Sequence, residues 1–104
     1  MTELVEQINA MLKSSERDLE QIERTLTDGY AHALTLEAEK WRLEKRIAEV
    51  AHGIQRGDTQ RKARELADLS KRRDGNDGDL VALRSLLGEL RKHAEGVRIG
   101  SPVR

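Results

Sequence analysis

Residues 5–54 read VEQINAMLKSSERDLEQIERTLTDGYAHALTLEAEKWRLEKRIAEVAHGI. Stepping alternately three and four places from Val5 lands on Ile8, Leu12, Ser15, Leu19, Ile22, Leu26, Gly29, Ala33, Leu36, Lys40, Leu43, Ile47, Val50 and Ile54. All but Ser15, Gly29 and Lys40 are Ala, Leu, Ile or Val. An apolar repeat of 3.5 residues held in phase this long is the pattern of a coiled-coil seam. It predicts one helix over about residues 3–55, about 75 Å long at 1.5 Å per residue. Gly53 and Gly57 are the expected stop signals. Gly29 costs about 1 kcal/mol relative to Ala inside a helix. Continuity across Thr27-Asp28-Gly29 is still expected, because a loop would normally shift the phase.

Working outward, Asp58 or Thr59 is placed to cap a shorter helix over about 59–73. Asp74-Gly75-Asn76-Asp77-Gly78 reads as a loop. Asp79 would cap a last helix over about 80–96, whose stripe is Leu80, Leu83, Leu87, Leu90, Ala94 and Val97. Gly96 is the expected terminator, and residues 98–104 read as a flexible tail. The expected domain is a single helical unit over 1–97. Composition agrees with an all-α reading. Aromatics are 2% of the 104 residues, Phe is absent, and Pro102 is the one proline, so nothing earlier forbids a long helix.

Charges suggest how the helices pair. With Val5 at an a position, the e positions of the long helix include Glu16, Glu23, Glu37 and Glu44. Its g positions include Asp18 and Glu39. A parallel pair on this seam sets Asp18 against Glu23 and Glu39 against Glu44, which is unfavourable. The matching positions of the last helix are Arg84, Arg91 and Arg98. The fold class expected is therefore all-α: a long N-terminal coiled-coil helix folded back as an antiparallel helical hairpin with two shorter C-terminal helices. Residue numbers opposed across the seam should sum to about 113–114. That sets Leu83 at Gly29, Leu87 at Leu26, Arg91 near Glu23 and Arg98 near Glu16. The N-terminal segment would then lack a partner within the chain. Leu4, Val5, Ile8, Met11 and Leu12 are the candidate oligomerisation residues, with an antiparallel homodimer the expected form. A second stripe, Tyr30, Leu34, Ala38, Trp41 and Ala48, lies on another face of the helix and should be covered by the short helices or by a second chain. Tyr30, Leu34 and Trp41 are the candidate contacts for a partner protein.

Formal net charge is +0, with 19 basic and 19 acidic side chains, so there is no global attraction to nucleic acid or anionic lipid. The charges are uneven, however. Residues 55–73 hold seven basic and three acidic groups. Arg56, Arg61, Lys62, Arg64, Lys71, Arg72 and Arg73 form a possible nucleic-acid patch, though no aromatic side chains are interleaved for stacking. The bland reading is a solvated face. Cysteine is absent, which excludes disulfides, thiolate zinc sites and a Cys nucleophile. His32, His52 and His93 stand apart, without metal-ligand spacing. The acidic run from Asp74 has Asp79 where a calcium loop needs Gly at its sixth position and Ser85 where it needs Glu at its twelfth. Ser14, Ser15 and Ser70 have no companion His/Asp set.

These features predict a non-enzymatic protein without cofactor. It would self-associate and bind a partner protein through helical surfaces, as an adaptor, assembly factor or secretion-type chaperone does. The alternative is a nucleic-acid-associated regulator acting through residues 56–73 or the expected hairpin tip. An acidic start and the lack of a long apolar run suggest a soluble, cytoplasmic protein.

Overall fold

A computed structural model describes residues 2–54 and 59–100. Among them the chain is all-helical: α1 spans Thr2–Ser14, α2 spans Leu19–Ile54 and α3 spans Thr59–Gly100. Helices α2 and α3 pack closely, and the chain divides into two compact units, Met1–Leu34 with Val81–Arg104, and Thr35–Leu80.

Three boundaries differ from expectation. The helix expected over 3–55 is broken at residues 15–18. Ser15 takes a left-handed φ of 55°. Its N–H donates to the Leu12 carbonyl at 3.4 Å, and the Glu16 N–H donates to the Met11 carbonyl at 3.0 Å. These bonds satisfy the last carbonyls of α1 in the manner of a left-handed C-cap. Asp18 then opens α2. Its Oδ1 accepts from the Gln21 N–H at 3.3 Å, and its own N–H donates to Glu16 Oε2 at 3.0 Å. The connection is four residues long, close to one helical turn, so the three-four count passes over it undisturbed.

The second difference is at 74–78. The expected loop is helical, and the helices expected over 59–73 and 80–96 are one element. Buried leucines on either side, Leu69 and Leu80, hold the helix through its weakest residues. Third, α3 runs through Gly96 to Gly100, so the tail expected from residue 98 begins as helix. Arg98 is fixed there by Glu95 at 3.3 Å and by Glu23. The expected stop at Gly57 and the caps at Asp58 lie outside the described residues.

The first unit packs α1, the start of α2 and the end of α3 around Ile8, Met11, Ile22, Leu26, Ala33, Leu83, Leu87, Leu90 and Ala94. The N-terminal segment therefore does have a partner within its own chain, contrary to the sequence expectation. Thr25, almost fully buried, donates to the Gln21 carbonyl at 3.0 Å and accepts from Gln7 of α1 at 3.2 Å. Gly29 meets Leu87, not Leu83. Arg98 bonds Glu23, not Glu16. The position without a side chain accepts Leu87.

The second unit has its own small core of Leu43, Val50 and Leu69, with Ile47 and Leu66 packed against it. Its cross-helix contacts include Lys40 with Asp77 at 2.8 Å, Arg46 with Glu65 at 2.8 Å, and the Lys62 side chain laid over Gly53. Partner numbers fall on α3 as they climb on α2.

Candidate functional site

Several large apolar side chains lie outside the two cores and are the candidates for a binding surface. In the first unit these include Tyr30, Leu34, Val81 and Ile99; in the second, Trp41. Leu34 is 66% and Trp41 63% exposed, with Tyr30 at 42%. The second stripe is therefore not covered within the chain, against one of the two alternatives the sequence left open. Helical spacing explains why. Positions 34 and 41 lie seven apart, about two turns, and fall off the face that carries Leu43 and Val50 into the core.

Trp41 sits in a charged setting. Lys45 Nζ lies 5.3 Å from the centroid of its ring, one turn along α2, within reach for a cation–π contact. Arg42 is held by Glu39 at 2.8 Å, and Arg46 lies 3.6 Å from Glu49. On the facing side of the unit, the hydrogen bond and charge of Asp77 hold the Lys40 ammonium above the ordinary lysine value. That raised affinity for the proton means the contact is intact below the ordinary lysine pKa. It fades only as pH climbs past the raised one.

The other expected groups are separated. Ile8 and Met11 belong to the core of the first unit, while Leu4, Val5 and Leu12 are half-buried beside them. Of the basic run, Arg56 lies outside the described residues. Lys62 is half-buried against Gly53, and Arg73 bonds Asp74 at 3.2 Å. Arg61, Arg64, Lys71 and Arg72 are exposed. The open depression beside them is lined by Ala67, Asp68, Ser70, Lys71 and Asp74, so two acids flank its one lysine. Among the described residues no group of three or more His, Asp or Glu is arranged to hold a metal ion. None of the described helices is long and apolar enough to cross a membrane.

Sequence reasoning overlooked one positioned residue. His93 of α3 donates from Nε2 to the Glu16 carbonyl at 2.6 Å, pinning the turn between α1 and α2. The carbonyl can only accept, which fixes the proton on Nε2. Nothing local to His93 signals this, because its partner is 77 residues away. Val81, which the sequence suggests widens the stripe of the last helix together with Leu86, is instead exposed, as is Ile99, which was not singled out. Both fall off the phase of Leu83, Leu87 and Leu90.

In comparisons with known proteins, the chain matches no family model, no curated protein and no solved structure.

Proposed function

We propose that this protein is a non-enzymatic interaction module of the adaptor, assembly-factor or secretion-chaperone kind. In this reading its helices pair as antiparallel coiled-coil segments within each unit. It self-associates and takes up a partner protein through helical surfaces. The observation that carries the reading is the exposure of Leu34 and Trp41 while Leu43, Val50 and, on α3, Leu69, Leu80, Leu83, Leu87 and Leu90 are buried. Large apolar groups set outside filled cores are costly to leave in water and are the usual anchors of association. Tyr30 adds a ring with a polar tip, suited to a surface that is alternately wet and covered.

Sedimentation equilibrium on the full chain tests this. The expected result is a mass above the monomer at tens of micromolar, reduced by Leu34→Glu or Trp41→Ser with the helical signal retained. A strict monomer at high micromolar concentration would count against self-association.

A further inference from the structure

The second unit carries enough on its surface to say how copies would meet. On α2, at about 100° per residue, Ala38, Lys45 and Ala48 share the face of Trp41. All four are exposed. The flanks of this face differ in sign. Glu37 and Glu44 lie on one side, about 40–60° from Trp41; Lys45 and Arg42 lie on the other, about 40–100° away. Glu49, the acid on the basic flank, already has Arg46 of its own helix at 3.6 Å.

We propose that this face of the second unit docks a second copy of the chain in parallel, Trp41 on Trp41, with Lys45 of each copy against Glu44 of the other. The inference rests on the self-association put forward above and names its surface and direction. Direction follows from symmetry. In an antiparallel pair centred on Trp41 each flank faces its like, which sets Glu44 of one copy beside Glu37 of the other. In a parallel pair each flank faces the opposite one, so Glu44 meets Lys45. The parallel pairing that the Val5 seam disfavours concerns a different face, one that the protein buries inside itself. Ala38 and Ala48 on either side of Trp41 are small enough to let two α2 helices approach around the stacked indoles. Lys45, now laid over its own Trp41, has a long stem that can swing to the facing carboxylate while covering the rings. The patch is small beside a standard stable interface, so dissociation in the micromolar range is expected.

The chain has no cysteine and a single tryptophan, which makes two clean probes. Full-length Ala48→Cys under mild oxidation should form a covalent dimer. A parallel pair sets the two positions level, within the 7 Å that a disulfide tolerates. An antiparallel pair centred on Trp41 holds them about 21 Å apart at 1.5 Å per residue. Ala63→Cys, exposed on α3, is the control and should stay monomeric on the same gel. Lys45→Glu should weaken self-association about tenfold, and adding Glu44→Lys should restore it. Indole emission should shift to the blue on concentration. A dimeric mass without the Ala48→Cys cross-link, or without rescue by the double reversal, would overturn this surface and direction while leaving self-association standing. A monomeric mass would overturn both.

Discussion

Ser15 and Gly29 show how single residues set local geometry here. Ser15 adopts the left-handed conformation at a φ of 55°, which costs a residue with a Cβ about 1–2 kcal/mol. Glycine has no such penalty, but it gives the unfolded chain more freedom. Ser15→Gly should therefore stabilise the protein by about 0.5–1 kcal/mol, the net of the two. The measurement is the urea midpoint, which should rise at an unchanged slope. A fall would mean that the turn is built some other way. Gly29 is the reverse case. A Cβ there would collide with Leu87, whose side chain is 1% exposed and has little room to retreat. Gly29→Ala gains helix propensity yet should lose about 1–2 kcal/mol overall through overpacking. Pairing it with Leu87→Ala in a double-mutant cycle should recover part of that loss, because the two positions share one contact. Additive effects would show that the contact is absent. The weak seam position read from the sequence as a cost is thus a place where the partner side chain fills the space of the missing Cβ. The sequence could mark Gly29 but not choose between Leu83 and Leu87 as its partner, since both leucines sit on the same stripe.

Individual helices show what periodicity reveals and what it hides. The three-four stripe marked both apolar faces correctly, and nearly every buried residue of α2 and α3 lies on it. It could not reveal the break at Ser15–Asp18, because a four-residue turn leaves the count in phase. The signal that was available is chemical: two serines, then Asp18 one residue before Leu19, an N-cap in waiting. The opposite error arose at Asp74-Gly75-Asn76-Asp77-Gly78. Local propensity there favours a loop, but Leu69 and Leu80 are both buried, and Asp77 bonds Lys40 across the unit. Packing overrides propensity, and the residues between are carried as helix. The candidate surface was legible to the extent that Trp41 and Leu34 fall off the core phase. The intramolecular use of Ile8 and Met11 was not, since it depends on the unseen turn. A sharp test follows from the helical reading of this segment. A Cβ added at Gly75 or Gly78 meets nothing within 4 Å. Gly75→Ala and Gly78→Ala should each add up to about 1 kcal/mol of stability. Slower amide exchange over 74–79 should accompany the gain. If residues 74–78 were a loop with glycine-specific angles, both substitutions would destabilise instead.

At the scale of the whole molecule the question is what keeps a chain with so few large apolar side chains folded. The chain has 104 residues, no Phe and no cysteine, so large apolar side chains are few and no disulfide restrains the unfolded state. Its surface ion pairs, such as Arg46 with Glu65 and Arg98 with Glu23, are about half exposed, and such pairs contribute little. If copies associate as proposed, the surface they bury adds to stability, and folding is linked to association by mass action. For a dimer that unfolds as two chains, each tenfold rise in concentration adds about 1.4 kcal/mol. Across two chains of this size that raises the thermal midpoint by roughly 3–6 °C. Calorimetry on the wild-type chain over two decades of concentration should show this climb. The Trp41→Ser variant should melt at one temperature throughout, because the indole that would anchor the second copy is gone. A wild-type midpoint that does not move would mean that each copy holds itself together, and that the exposed indole serves a different protein.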